Sequence, residues 1–369
     1  MLVSPLKKGI VAALAAVFLV AAGSAGQEPP SAAQNPLPVF EFHSGFWMNL
    51  HHFLYQQARL HQLAQNSLAG APAGATADTP ERAAPSDPGN ADRPGQVPLG
   101  ALTPKEEQAW TAALDYYAED LASRDLLFNG DMMNIKNRLA DLETCADLSG
   151  RGSAECASGL RQEMVAVLER AAPVYRAHWW PGHDRSNRSW IASVAPMVRQ
   201  FGGTLAQQLA ETYRADWPPG RIRVDVVIYG GPFGAYTSLE PTRVTLSSSD
   251  PRNQGPAALE VLFHEASHAL AGSVRDAIAR ECRRRGKPIP RDLWHALLFY
   301  TTGEVVKRTL SAPEGAARSS AAYTPYAYRY GLYARGWSTY QRVLERYWQP
   351  YLDGKVAFDT ALARLVSAL

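Results

Sequence analysis

Residues 261–270 read VLFHEASHAL. Apolar residues stand on both sides of His264, Glu265 and His268, and no proline breaks the run. On a helix, side chains four positions apart lie one above the other on the same face. His264 and His268 at that spacing can bind one tetrahedral Zn2+, with Glu265 between them projecting toward a metal-bound water. Zinc lowers the pKa of such a water toward about 7, and a carboxylate beside it can take its proton during attack on a carbonyl. The chemistry requires a buried central helix, and the uncharged flanks of HEASH suit one.

The pattern on either side supplies the setting. Ile222 to Tyr229, IRVDVVIY, is β-branched and strand-like and stops at Gly230-Gly231-Pro232. Arg243 to Ser247, RVTLS, reads as a second, shorter strand. One long helix is expected from about Pro256 to Arg285 and another from about Arg291 to Leu310. Upstream, Thr103-Pro104-Lys105-Glu106 is a capping box with proline at the first helical position, followed by helical spacing through Trp110, Leu114, Tyr117 and Leu121. Further helices are expected near 131–147, 158–178 and 187–214, and the aromatic stretch from Tyr323 to Tyr351 reads as helical again. The expected fold class is α+β, predominantly helical, with a small sheet placed just before the helix that bears the motif.

VLFHEASHAL resembles the active-site helix of zincin metallopeptidases, a likeness that covers about residues 221–310. It implies a zincin-like catalytic domain whose edge strand pairs with an extended peptide or protein substrate. Arg243–Ser247 is the expected edge. The third ligand sets the subclass. The elongated metzincin pattern needs a histidine soon after the second ligand, and the next one here is His295. A gluzincin takes a glutamate from a following helix, which makes Glu304 the favoured third ligand, with His295 its rival. The two stand nine positions apart, about two and a half helical turns, so they face opposite ways. Lys307 and Arg308 follow Glu304 where gluzincins usually place an acidic residue. The resemblance also implies a donor for the developing oxyanion from beyond the third ligand. YTPYAYRYGLYARGW offers Tyr326 or Tyr333.

The rest of the chain bounds this reading. Lys7 and Lys8, the apolar run Ile10 to Ala22 and Gly23-Ser24-Ala25 form a signal-peptide pattern over residues 1–25. The run is short for a membrane span, and no second one follows, so a soluble, secreted or periplasmic mature protein is expected. Residues 26–63 form an aromatic, helical segment, with one helix expected over Phe40 to Leu63. Ala64 to Gly100 is an Ala/Pro/Gly-rich linker with too few large apolar residues to offset its ordering entropy. Residues 101–369 would be the catalytic domain. Apolar residues make up 46% of the chain, enough for a large core, and a net charge of +2 with both signs interspersed gives no nucleic-acid footprint. Cys145 and Cys156, close together around a Gly/Ser-rich turn, can pair in an oxidising compartment, leaving Cys282 as a buried thiol. His51 and His52 in the N-terminal helix are expected to pack or line a cleft. Two function classes follow: a zinc hydrolase, or a helical binding module in which HEASH is accidental.

Overall fold

The computed structural model describes residues 39–68, 102–311 and 323–369. The signal pattern over 1–25 and nearly all of the linker lie outside the described residues. The chain is predominantly helical with one four-stranded sheet, as its α+β patterning predicts.

The first element departs from expectation. Phe40–His43 is a strand, β1, and the helix begins only at Phe46. The four residues FEFH alternate buried Phe40 with exposed Glu41, a period of two that is too short to stand out beside the helix that follows. Phe46–Leu68 then forms α1, which buries Leu50, Phe53 and Leu54. The capping box forms as written. The Thr103 backbone amide donates to Glu106 Oε2 at 2.9 Å, and the Glu106 amide reaches back to Thr103 Oγ1. It opens α2, Pro104–Tyr116, which continues through one π-helical stretch, Tyr117–Leu121. Then come α3, Gly130–Asp141, α4, Gln162–His178, and the long α5, Trp180–Tyr213. Between α3 and α4, Cys145 and Cys156 form a disulfide, and Cys282 is a buried free thiol.

The sheet follows: β2, Ile222–Val227, β3, Ala235–Leu239, and β4, Thr242–Ser247. Its order is β1-β2-β4-β3, with β1 and β4 parallel to β2, and β3 antiparallel to β4. The strand expected to form the edge, Arg243–Ser247, is therefore interior and paired on both sides. The edges are β1 and, on the side of β4, β3, whose short Ala-Tyr-Thr-Ser-Leu run lies between two turns and carries little pattern of its own. Successive side chains of a strand alternate faces, and here the alternation divides two cores. Val224, Val226, Val244 and Leu246 join one with α5 and the helices that follow; Ile228 and Tyr236 join the other, formed by α1 to α4.

The motif helix is α6, Pro256–Ser267. It does not run on to Arg285 as one rod. A 3-10 turn, His268–Leu270, intervenes before α7, Ala271–Arg284. The Ser267 hydroxyl donates to the Phe263 carbonyl at 2.6 Å, a back-bond that commonly bends helices. Next comes α8, Leu293–Ser311, packed along α6. The chain closes with the short α9, Tyr326–Arg329, α10, Ser338–Val343, α11, Gln349–Leu352, and α12, Phe358–Ser367. All of α6 from Ala257 to Ser267 is buried.

Candidate metal centre

His264 from α6, His268 from the 3-10 turn and His295 from the first turn of α8 offer nitrogens that all lie within 4.8 Å of one another. His264 Nε2 and His295 Nε2 face each other at 3.2 Å. Ligand nitrogens about 2.0–2.1 Å from a tetrahedral ion stand about 3.3 Å apart, so this pair has the spacing of two ligands on one ion. The His264 ring is nearly perpendicular to that of His268, 5.1 Å away, and lies 5.3 Å from that of His295. Such a group could hold a metal ion.

Aromatic neighbours fix the rings. Phe299 stacks on His264 at 3.7 Å, and Trp294 stacks on its neighbour His295 at 4.9 Å. Both come from α8, so the helix that brings the third imidazole also wedges the first. Burial, with the other two imidazoles alongside, holds the His264 pKa well below its ordinary value. Its ring is thus neutral and keeps a lone pair for a ligand bond. His264 Nδ1 is buried and has no hydrogen-bond partner among the described residues. The donor set of neutral nitrogens suits zinc and its neighbours in the first transition row.

Glu265 is almost fully buried, and its Oε2 lies 3.9 Å from His268 Nε2. Thr237 on the edge strand β3 holds it: the threonine hydroxyl lies 2.7 Å from Glu265 Oε2 and 2.8 Å from the Glu265 carbonyl oxygen. Glu265, His264, Phe233, Ala235, Val261, Phe299, Leu332, Arg252 and Tyr326 line a narrow cleft.

One turn before His264, Glu260 is fully buried and anchors the segment that carries Tyr326. Its Oε2 accepts from the Tyr323 hydroxyl at 2.6 Å and from the Tyr326 backbone amide at 2.9 Å. Burial pushes this carboxyl up to about 7. Gly303 on α8 allows the approach, since a Cβ there would stand 2.7 Å from the Pro325 Cβ and 3.0 Å from Glu260 Oε1.

The expected residues are placed unequally. His264, Glu265 and His268 come together. The third nitrogen belongs to His295, and Glu304, the favoured third ligand, is not in the cluster. Its carboxylate pairs with Lys307 at 3.2 Å. The half-integral number of turns between the two residues decides the matter: α8 turns one of them toward α6, and that one is His295. The partner that the Glu304 carboxylate has is a lysine one turn on, on its own helix. Tyr326 lines the cleft, whereas Tyr333 is buried, with a hydroxyl that has no partner among the described residues. Thr237, Glu260 and Arg252 were not anticipated. Thr237 needed β3 to be seen as a strand; Glu260 carried a weak signal as a lone acid in an apolar helix.

Among known proteins, no family profile, curated protein or solved structure matches the chain.

Proposed function

We propose that the chain is a zinc-dependent metallohydrolase, and specifically a peptidase of the zincin kind. The observation that carries the reading is the convergence of three imidazole nitrogens beside a buried carboxylate that is itself oriented by a hydrogen bond. His264, His268 and His295 would hold the ion. Bound zinc supplies Lewis acidity, activating water and polarising the scissile carbonyl.

The protein's own groups do the rest. Glu265 takes a proton from the attacking water and returns it to the departing amide nitrogen. Thr237 keeps that carboxylate in one rotamer, so its orientation is set before substrate arrives. Tyr326 donates to the carbonyl oxygen as charge grows there. The outer edge of β3 offers main-chain groups to an extended peptide, in place of the strand first expected to do so. The Cys145–Cys156 disulfide supports the expectation of an exported protein.

The reading is tested by loading the protein with zinc and assaying a mixed set of internally quenched peptides. Cleavage should occur and should slow by about a thousandfold in Glu265→Gln, with zinc content unchanged. A Glu265→Gln protein that still cleaves at the wild-type rate would remove Glu265 from the chemistry.

A further inference from the structure

The cleft beside the candidate centre has walls of mixed character, with a cation set next to several apolar side chains. Arg252 lines it together with Phe233, Val261, Phe299 and Leu332. The guanidinium is rigidly mounted. Asp250 grips one edge, Oδ1 accepting from Nε at 2.9 Å and Oδ2 from Nη2 at 2.6 Å, and Nη2 also donates to the Pro232 carbonyl at 3.1 Å. Asp250 can come this close because residue 234 is glycine. A Cβ there would stand 2.3 Å from Asp250 Oδ2, and φ is +81°, a conformation that favours glycine. Asn253 seals the turn by donating to the Gly234 and Ser247 carbonyls at 2.9 and 3.1 Å.

Those bonds use Nε–H and both hydrogens of Nη2. Nη1 makes no hydrogen bond to a described residue, and the side chain is 23% exposed. Bracing Asp250 and the Pro232 carbonyl accounts for Nε and Nη2 and leaves Nη1 over. Nη1 keeps both of its N–H groups, so this preorganised guanidinium can donate to an oxygen of a carboxylate and hold a fixed positive charge against it. The apolar side chains next to it suit a hydrophobic side chain on the same ligand.

We propose that Arg252 anchors a free carboxylate of the substrate, so that the cleft takes the apolar C-terminal residue of a peptide. This rests on the peptidase reading. Water's oxygen bonds to the acyl carbon and the C–N bond breaks. One water proton passes through Glu265 to the leaving amine, the other leaves with the new carboxyl group, and a C-terminal amino acid departs. Arg252 changes no bond and sets which amide is presented.

The test compares acetyl-Ala-Ala-Phe with its C-terminal amide on the zinc-loaded full chain. The acid should be cleaved with a KM at least tenfold lower than the amide. In Arg252→Gln the KM for the acid should rise about tenfold, kcat should stay near wild type, and the amide should be unaffected. Arg252→Lys, which keeps the charge but not the braced planar geometry, should restore part of the preference. Calorimetric titration of zinc-loaded Glu265→Gln protein should show the same acid-over-amide preference without turnover, and adding Arg252→Gln should erase it. Equal cleavage of acid and amide by the wild type overturns the carboxylate anchor and leaves the peptidase reading intact. An equal loss of kcat on both substrates in Arg252→Gln also overturns it. Selective binding of the acid with no hydrolysis of any peptide keeps the anchor and overturns the peptidase reading.

Discussion

The helical core around α1 and the cleft around α6 each contain three histidines, and ring spacing does not tell the two sets apart. The His51 and His52 rings are 5.3 Å apart, and those of His264 and His268 are 5.1 Å apart. What differs is what the nitrogens face. His51 Nδ1 meets the Tyr117 hydroxyl at 2.8 Å, His52 Nε2 meets the Tyr236 hydroxyl at 2.7 Å, and His183 Nδ1 meets the Tyr175 hydroxyl at 2.8 Å. Each imidazole there is matched to a phenol and serves packing. Around α6, His264 and His295 turn their nitrogens toward each other. A single strand divides the two sets: Tyr236 on β3 points to His52, and Thr237, the next residue, points to Glu265. Histidine count and proximity are thus poor guides to a metal site. Convergence of lone pairs on one point is the better one.

The sharpest way to break this contrast is to remove a group from each set. Glu265→Gln should lower kcat by about a thousandfold, within the range of a lost general base, at constant zinc content. His52→Ala should leave zinc content and kcat alone and reduce stability by about 2–4 kcal/mol through the cavity and the orphaned Tyr236 hydroxyl. Equilibrium urea unfolding measures the second effect. Metal loss in His52→Ala would erase the distinction between the two sets.

Acid should act on the phenol-matched set and, once metal is removed, on His264 as well. Burial holds His51 well below its usual pKa, and holds His52 and His183 at about 3 and about 4. Well above about pH 6.5 these rings are neutral both folded and unfolded, so stability is flat on their account. As pH falls from about 6.5 toward 4, the unfolded chain gains protons that the folded chain refuses. Stability then drops by up to about 1.4 kcal/mol per pH unit for each histidine. Lys136, buried beneath the Tyr236 ring and lowered to about 7, completes its protonation over about the first pH unit below that value and adds to the fall only there. Urea midpoints between pH 7 and 5 in EDTA, which removes metal release from the measurement, should fall steadily. A flat profile would mean that these rings take up protons in place.

The smaller effects lie on β3. Thr237→Val should lower kcat about tenfold with zinc retained, since Glu265 keeps its place but loses the hydrogen bond that orients it. Tyr236→Phe should cost about 1 kcal/mol of stability, one buried hydrogen bond, and leave kcat unchanged. Neighbours on one strand would then report separately on the two histidine sets.

Much of this was legible in sequence because local rules govern it. The capping box at Thr103, the boundaries of α4, β2 and α8 and the pairing Cys145–Cys156 follow from short-range chemistry. So do His264 and His268, whose i,i+4 spacing needs only a helix. The third nitrogen comes from another helix, and its choice depends on how α8 is rotated against α6. Periodicity placed His295 and Glu304 on opposite faces but could not say which face met the motif. β1 and β3 were missed for a related reason. Short strands are specified by their partners across the sheet more than by their own residues, and Arg252 acquires its setting only when Gly234 and Asp250 meet in space.

The central claim is that His264, His268 and His295 form one zinc centre. Its most direct test is zinc per chain, measured by elemental analysis after chelation, reloading and gel filtration, in wild type, His295→Ala and Glu304→Gln. About one zinc per chain is expected in the wild type and in Glu304→Gln, in line with a single tetrahedral site, and little or none in His295→Ala. A wild type that takes up no zinc, or a His295→Ala protein that keeps it while Glu304→Gln loses it, would contradict the account.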